Sequence, residues 1–546
     1  MRGAKGEHMK STILPKKIVA FKNVLNVENL KKDKPMQIGF SEPYLSVINE
    51  GGYVILDFGK ELCGSLRLLV RASNGDKKVR IVYGESVAET LSSVGVRGAT
   101  NDHIVRDYEY YIPNWSDTTF TNSGFRFVKI ECVGKTSIEI KHAVVVPTIF
   151  SKPFKGKFVC DDKVINKIFS TAAYTLRLCI QNGVIWDGIK RDRLVWIGDM
   201  NPETLAANCL FGELKEVENT LTFAKEQSPL PLWMNNFPTY SLWWIVCLKD
   251  YYFQNKNHAY LLEQKEYLKG LVKQLLKYVD DKGHTLYDFN FIDWPTHFVD
   301  GDTDDKKRLD EITGTHALTV YAIKCAKVLF DILGESQEDC DELLARLLKT
   351  DYKVEKYKQI SAIKLVAGIG EEKDVDLIVN GGAKGMSTFM SYFILKGAVE
   401  GGYHAESIKM LKDYYGAMLA LGATSFWEDF DITWAENAGR IDKMPSKNKK
   451  DVHGDFGAFC YTGFRHSFCH GWSSGVVPFL MNIVAGIEIV KPGCEEIRIS
   501  PKLGSLNHVK VDYPTPYGIL KVEHIKNADG SITTKTVVPK GVKIVK

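Results

Sequence analysis

The sequence lacks the long apolar runs that membrane proteins need. No stretch of about 18 or more uncharged apolar residues occurs in the chain, so we expect no membrane span. Residues 1–10 are polar and basic, without the apolar segment of a secretory signal. His8-Met9 resembles a cloning scar, and a scar there implies that a native export signal can have been lost. The location, cytoplasmic or periplasmic, therefore stays open.

Concentrated charge and paired cysteines are also lacking. The net charge is only +4, from 71 basic and 67 acidic residues, and no long basic block occurs. We therefore expect neither nucleic acid nor a membrane surface as a partner. The 11 cysteines include no Cys-x-x-Cys pair, so zinc ribbons and disulfide frameworks have no support.

Two common phosphate-binding signatures are missing from the sequence. There is no Walker loop, and no Gly-x-Gly-x-x-Gly follows a predicted strand. Nucleotide and dinucleotide chemistry are therefore disfavoured, and we expect no cofactor. What remains is an ordinary globular composition, 45% hydrophobic and 25% charged, in a chain of 546 residues, which predicts two to four structural units.

The first large region, residues 36–150, is predicted to be a β-sandwich. Short β-rich segments such as Gly52–Gly59 and Phe125–Ile130 are separated by Gly, Asn and Asp. The stretch from Ser86 to Ile112 is less regular and predicts long loops. Residues 1–35 are set apart as an N-terminal segment, part of which is interpreted as a tag.

Residues 151–487 carry apolar residues at helical spacing. Roughly ten helices in this region favour an α/α toroid of helical hairpins, with an open solenoid as the alternative. The predicted helices include Val164–Ile180, Thr204–Ala224, Met386–Ala398, Ala405–Leu421 and Trp472–Ile487. Residues 488–546 return to strands and predict a small C-terminal β domain on the helical body. The predicted fold is thus a multidomain α plus β protein.

The segment Trp186–Asp199 is the most informative part of the sequence. Its fourteen positions hold three carboxylates, three basic residues and two tryptophans. A sugar pocket needs this mixture, because Asp and Arg bind hydroxyl groups, Trp covers an apolar ring face and a carboxyl group moves protons. The alternative is a buried salt-bridge network at the start of a helix.

The three carboxyl groups of this segment belong to Asp187, Asp192 and Asp199. Acidic groups held close together repel, so we expect one of them to keep its proton near neutral pH. A protonated carboxyl group can act as general acid toward a leaving glycosidic oxygen. Arg191 and Arg193 are expected to hold the other two ionised.

A second cluster, Thr424–Asp431, follows a predicted helix and contains Trp427 and Glu428. A carboxylate beside Trp on a loop between helices is a candidate general base. The equally weighted alternative is a helix N-terminus with acidic residues in its first turn, which the helix dipole favours.

Two further segments carry candidate pocket residues. Asp293 and Trp294 precede a proline, a combination suited to hydroxyl contact and ring stacking, although Asp293 is equally suited to capping the following turn. His466 and His470 have the four-residue spacing of metal ligands, but no zincin pattern surrounds them. We therefore expect substrate contact or helix capping there, and no metal.

These motifs together resemble the α-L-rhamnosidases of glycoside hydrolase family 78. That family's signature runs Asp, a short loop, Arg, an acid and Arg-Leu-x-Trp-x-Gly-Asp, which Asp187–Asp199 matches. Tyr83-Gly84-Glu85 is similar to the family's β-sandwich, Trp427-Glu428 to its base motif, Ser467–Gly471 to its Ser-x-Asn-His segment, and Thr515–Gly518 to its C-terminal β domain.

The resemblance implies an (α/α)6 barrel and a glycosidase that removes terminal α-L-rhamnose with inversion. It places Asp192 at the general acid and Glu428 at the general base. The residues that it implies for substrate binding are Asp187, Arg191, Trp196, Asp199, Asp293, Trp294, Trp427 and His470. The implied partner is a carbohydrate substrate, and the oligomeric state stays open.

The chain departs from the family pattern at three places. Asp192 replaces the usual Glu and is one methylene shorter, Gly188-Ile189-Lys190 replaces a Cys-Pro-Gln-like loop, and Cys469 replaces Asn. Two alternatives therefore stay open. One is an (α/α)6 glycosidase for another sugar, such as an L-arabinofuranoside or an unsaturated uronide. The other is a carbohydrate-binding protein without catalytic activity.

Overall fold

Three successive regions of the chain differ in secondary structure: a β region, a helical region and a second β region. The computed structural model describes residues 12–71, 77–299, 302–354 and 356–545. His8-Met9 lies outside the described residues. The predicted fold class, a helical toroid flanked by two β domains, is confirmed.

The N-terminal β region is built on one six-stranded sheet in the order β1-β2-β5-β3-β4, with β6 paired parallel to β2. Its strands are β1 (Lys17–Leu25), β2 (Ser46–Val70), β3 (Lys78–Gly84), β4 (Asp107–Tyr111), β5 (Ser116–Cys132) and β6 (Ile138–Pro147). Strand β1 lies in the segment 1–35 that the sequence pattern sets apart. It pairs antiparallel with β2, so the sheet begins before residue 36.

The sheet encloses an apolar core of its own. Inward-facing side chains such as Leu56, Leu68, Ile81 and Ile130 are fully buried. The stretch expected to form long loops is mostly irregular, with one helical turn, α1 (Val87–Thr90), capped by Ser86. The irregular residues 91–106 leave the sheet and approach the helical region.

The helical region is a ring of six helical hairpins. Strand β7 (Lys157–Cys160) precedes it, and the short pairs β8–β9 (Ile180–Gln181, Val184–Ile185) and β10–β11 (Ala438–Gly439, Lys450–Asp451) lie within it. The helices are α2 (Lys163–Cys179), α3 (Met200–Phe211), α4 (Lys215–Gln227), α5 (Pro238–Asn255), α6 (His258–Leu275), α7 (Asp305–Leu333), α8 (Glu338–Leu347), α9 (Lys358–Val366), α10 (Glu372–Val379), α11 (Ser391–Glu400), α12 (His404–Ala420) and α13 (Val476–Pro478).

The inner helices close the ring. Helix α3 packs on α5, α5 on α7, α7 on α9 and α9 on α11, and the run around α13 joins α11 back to α3. The 3-10 helices are Val27–Lys31, Met234–Asn236, Leu276–Tyr278, Trp294–Thr296, Ile432–Ala435, Phe459–Tyr461, Gly463–Arg465, Gly471–Gly475 and Pro492–Cys494, and Phe479–Val484 is a π-helical stretch. A closed ring rather than an open solenoid is therefore the architecture.

Local sequence explains several helix ends. Asp162 caps α2 by accepting hydrogen bonds from the amides of Val164 and Ile165. Gly212 adopts φ 73° and ends α3, so the predicted helix 204–224 is two helices. The predicted helix 386–398 begins only at Ser391, and 472–487 is a mixed 3-10, α and π run.

The C-terminal region contains two small sheets. One has the order β12 (Ile487–Lys491), β13 (Glu496–Ile499), β17 (Lys543–Val545). The other has the order β16 (Ile532–Val537), β15 (Gly518–Lys526), β14 (His508–Thr515), β7. Because β7 precedes the toroid in the sequence and β14 follows it, their pairing joins the two ends of the helical region in one sheet.

Two general properties complete the description. All 11 cysteines lie among the described residues, and all but Cys460 are buried, as expected for small core side chains. None of the helices in the described part of the chain is both long and apolar enough to cross a bilayer.

Candidate active site

A pocket of about 330 Å³ lies beside the N-terminal ends of α3 and α5, a volume suited to one sugar ring. Helix N-termini attract negative charge, so carboxylates are favoured there. The pocket is lined by His103, Asp187, Arg191, Asp192, Leu194, Trp196, Asp199, Phe237, Tyr240, Trp294, Glu428, Cys460, Arg465, His470 and Trp472.

The segment Trp186–Asp199 forms one wall as a loop closed on itself. The amide of Asp187 donates to the carbonyl of Leu194 at 3.1 Å, and the amide of Leu194 donates to Asp187 Oδ1 at 2.9 Å. Between them, Asp192 and Arg193 adopt left-handed φ values of 54° and 57°. Such non-glycine conformations cost of order 1–3 kcal/mol each and are concentrated at functional sites.

Gly198 allows the backbone before Asp199 to approach the next wall. A Cβ atom at this position would lie 2.4 Å from the ring of Tyr240, far inside van der Waals contact. Tyr240 is a pocket residue on the first turn of α5. Glycine at position 198 is thus required by close packing of the loop on an aromatic wall.

Arg191 connects the two predicted catalytic carboxylates. Its Nη1 donates to Asp192 Oδ1 at 3.0 Å, and its Nη2 donates to Glu428 Oε1. Two acceptors bound to the two terminal nitrogens of one planar guanidinium must lie close to each other. Asp192 and Glu428 therefore face one cavity, although they are 236 positions apart in the chain.

Glu428 is fixed by its surroundings and stays ionised. Oε2 accepts a hydrogen bond from the amide of Ser467 at 3.1 Å, and the carbonyl accepts one from Trp472 Nε1 at 2.7 Å. Burial alone would raise the pKa of this carboxyl group, but the adjacent Arg191 guanidinium, helped by His470, lowers the pKa to about 2. The predicted base therefore carries its charge over the whole neutral range.

His470 supplies a second positive charge at the bottom of the pocket. Its Nε2 lies 3.0 Å from Asp199 Oδ2. Burial lowers the pKa of a histidine, but the charge of Glu428 and the hydrogen bond with Asp199 outweigh it and raise the pKa of His470 to about 9. A charged imidazole beside carboxylates is suited to binding sugar hydroxyl groups.

Two of the three clustered aspartates have raised pKa values. Burial raises the pKa of Asp187 well above its usual range, and burial also raises the pKa of Asp199, in both cases against the opposing charge of His470. The expected role of Arg193 is not seen. Its Nη2 donates to Asn122 Oδ1 at 2.8 Å and its guanidinium lies over the ring of Trp186, so it holds neither aspartate.

Three family models match the chain. The bacterial α-L-rhamnosidase 6-hairpin glycosidase domain matches residues 153–357, the concanavalin-like domain of bacterial α-L-rhamnosidases matches 48–146, and their C-terminal domain matches 486–545. Together the three models, in this order, match well over half of the sequence. The chain belongs to the bacterial α-L-rhamnosidase family.

Solved structures of rhamnosidases share the fold. The family 78 rhamnosidase of Bacillus sp. GL1 matches with a TM-score of 0.73 at 18% identity, over 95% of this chain and 55% of that one. A Klebsiella oxytoca rhamnosidase with rhamnose bound gives 0.66 at 19%, over 86% and 94%. The Dictyoglomus thermophilum α-L-rhamnosidase gives 0.68 at 19%, over 91% and 58%. A comparison with curated sequences finds no match.

These comparisons have two consequences. At such low identity the structures establish the fold rather than the reaction. The chain spans little more than half of the Bacillus and Dictyoglomus rhamnosidases but nearly all of the Klebsiella one, so rhamnosidases differ in what surrounds the shared domains.

The structure brings eight of the ten predicted site residues together in the pocket wall: Asp187, Arg191, Asp192, Trp196, Asp199, Trp294, Glu428 and His470. The remaining two, Asp293 and Trp427, are buried behind that wall.

The positions of those two residues have physical causes. Asp293 Oδ1 accepts from the amide of Trp294 at 2.8 Å and Oδ2 accepts from Ser387, which is the capping alternative, and burial raises its pKa to about 8. Trp427 stacks on Phe468 at 4.1 Å between ring centroids and is only 1% exposed. Both residues support the wall instead of lining it.

The two histidines considered as metal ligands are each engaged with a different partner. His466 Nε2 accepts a hydrogen bond from the amide of Asp429, and His470 binds Asp199. Among the described residues, Glu85, Glu89 and His453 have the spacing of metal ligands. The ammonium of Lys190 already lies 3.0 Å from Glu85 and 3.3 Å from Glu89, so a lysine supplies the cation there.

Several lining residues were missed by sequence reasoning. Trp472 directly follows the His470-Gly471 motif and could have been predicted from it. His103 comes from the irregular stretch between strands β3 and β4. Long structureless loops are frequently functional, which was the one available signal for His103. Gly471–Gly475 also fits a Gly-x-Ser-x-Gly spacing, but Ser473 is fully buried and donates to the carbonyl of His470 at 2.6 Å, so it is no nucleophile.

Proposed function

We propose that this protein is a glycoside hydrolase that removes terminal α-L-rhamnose from oligosaccharides or glycosides with inversion of configuration. One observation carries the proposal: Asp192 and Glu428 are bound to the same guanidinium at the wall of a sugar-sized pocket. Membership in the bacterial α-L-rhamnosidase family supplies the substrate class.

The proposed reaction is a single displacement. Asp192 donates a proton to the leaving glycosidic oxygen, while Glu428 removes a proton from a water molecule that attacks the anomeric carbon from the opposite face. Inverting enzymes hold the two carboxyl groups roughly 6.5–9.5 Å apart to leave room for that water, whereas retaining enzymes hold them about 5 Å apart, so the anomer released first distinguishes the two routes.

The remaining pocket residues would hold the sugar. Asp187, Asp199 and His470 form the deep polar end, where these side chains can form hydrogen bonds with the hydroxyl groups of the sugar. Trp196, Trp294 and Trp472 offer apolar ring surface for the faces of the sugar and its methyl group. This division into a polar end and an aromatic wall suits a 6-deoxy sugar, which has hydroxyl groups on one side and a methyl group on another.

The decisive experiment is hydrolysis of p-nitrophenyl α-L-rhamnoside with NMR observation of the first anomer released. Inversion predicts that the β anomer forms first and then mutarotates. The α anomer as first product would overturn the inverting mechanism. A parallel panel of aryl L-arabinofuranosides and unsaturated uronides tests the sugar, and turnover of one of these instead of the rhamnoside would overturn the proposed specificity.

A further inference from the structure

The N-terminal β region reaches into the pocket through a single irregular segment. His103 Nε2 lies 3.2 Å from Asp192 Oδ1, and His103 lines the pocket with the residues of the toroid. Like Asp192, His103 adopts a left-handed backbone conformation, with φ 65°. The strain on both sides of one contact indicates that surrounding structure holds the two residues in place.

The segment just before His103 is tied to the toroid by two ion pairs. Before it, Arg97 binds Asp455 at 2.5 Å and its carbonyl accepts from the amide of Phe464 at 2.7 Å. Next to it, Asp102 Oδ2 accepts from Arg465 Nη1 at 2.6 Å. His103 is therefore presented by a loop whose position relative to the pocket is set by charged pairs.

The pattern of contacts on Asp192 distinguishes its two oxygens. Arg191 Nη1 and His103 Nε2 both approach Oδ1, at 3.0 Å and 3.2 Å. In a carboxylic acid one oxygen accepts hydrogen bonds as a carbonyl while the other carries the proton. With the Arg191 donor and the His103 nitrogen both at Oδ1, Oδ2 is the oxygen left to carry the proton.

We propose that His103, supplied by the β region, is a positioning residue that orients the carboxyl group of Asp192 so that Oδ2 delivers its proton to the leaving glycosidic oxygen. The inference rests on the proposed function and deepens it. The charged groups facing His103 are Asp192 with its partner Arg191 on one side and the Asp102–Arg465 pair on the other.

The test compares leaving groups. Proton donation matters little for an aryl rhamnoside with a strongly acidic phenol and much for one with a weakly acidic alcohol. We expect His103→Leu to lower kcat/KM for methyl α-L-rhamnoside by about 10-fold or more, because small losses of orientation have large effects on proton transfer. The same variant should lower kcat/KM for the 2,4-dinitrophenyl rhamnoside by less than about 3-fold.

Two further variants make the result specific. His103→Gln keeps a donor at the reach of Nε2 and should recover most of the activity toward the methyl glycoside. His284→Gln changes an exposed histidine outside the pocket and should change neither substrate. Circular dichroism and melting temperatures identify any variant that does not fold. If His103→Leu does not fold, the comparison uses His103→Gln and the unmodified protein.

The outcomes separate the two proposals. Equal losses with both leaving groups, or no loss with either, would overturn the role of His103. If the unmodified protein hydrolyses neither rhamnoside, the proposed function itself fails. If it hydrolyses both and only the methyl glycoside depends on His103, the positioning role holds.

Discussion

Arg191 binds Glu428 across the pocket, and through this contact the loop before α3 controls the charge of a residue on the loop after α12. The same guanidinium binds Asp192. A lysine could not replace it, because a point charge lacks the planar fork that serves two carboxylates at once. The candidate acid and base are thus coupled through one side chain.

This coupling predicts how the pH dependence responds to Arg191→Met. In the unmodified protein Arg191 is the main cause that lowers the pKa of Glu428 to about 2, so the acid limb of kcat/KM should lie below about pH 4. Removing the charge leaves burial as the dominant effect and raises that pKa, so the limb moves to higher pH. The pH–rate profile measures the shift. Arg193→Met is the matched control, since Arg193 binds Asn122, and an unmoved limb in Arg191→Met would contradict the coupling.

Loss of the proposed base should nearly abolish turnover. Glu428→Gln keeps the shape of the side chain but cannot accept a proton from water, so we expect kcat to fall by about 10²–10⁴-fold. Binding of rhamnose, measured by calorimetry, should persist because the rest of the wall is unchanged. Glu436→Gln, at an exposed position on the same loop, is the control. Activity of Glu428→Gln within a few-fold of the unmodified protein would exclude Glu428 as the base.

The architecture of this protein was largely predictable because the spacing of apolar residues in the sequence reflects which face of a strand or helix is buried. Alternation at period 2 and apolar spacing near 3.6 each reflect a buried face, so the order of β, helical and β regions followed from local pattern. The ends of the helices were harder to predict from the sequence. The division at Gly212 depends on a left-handed backbone conformation, and the irregular run from Gly471 to Val484 depends on its fit between α3 and α11.

The candidate site was predictable only where its residues are close in sequence. Asp187, Asp192 and Asp199 share one short segment, so their proximity could be expected. The wall-supporting positions of Asp293 and Trp427 depend on Ser387 and Phe468, which come from other loops. His103 comes from a separate structural region, and no local pattern could place it beside Asp192.

The charge on His470 predicts a pH-dependent contribution to stability. Its pKa is raised in the folded protein from an ordinary 6.5 to about 9, so the folded state binds its proton more tightly than the unfolded state. The resulting stabilisation is complete below about pH 6.5 and is lost as pH rises through about 9. The free energy of unfolding in urea should therefore differ between the unmodified protein and His470→Gln at pH 6, and the difference should shrink toward pH 9.5. A pH-independent difference would contradict the raised pKa.

A buried lysine links the β region to the catalytic loop. Lys190 directly precedes Arg191, and its Nζ lies 3.0 Å from Glu85 and 2.9 Å from the carbonyl of Phe464. Burial raises the pKa of Glu85 to about 7 against the opposing charge of Lys190. The ammonium therefore fixes the start of the catalytic loop between strand β3 and the segment that carries His466.

We expect Lys190→Met to destabilise the protein by about 3–5 kcal/mol, since it leaves the buried Glu85 without its cation. Lys364→Met is the matched control, because Lys364 is equally buried and lies 3.2 Å from Asp374 in the helical region, away from the pocket. Both variants should lose stability in urea unfolding. At a temperature where each remains folded, only Lys190→Met should also lower kcat/KM, because only there does the lost contact displace Arg191. Equal activity losses in the two variants would mean that Lys190 acts on stability alone.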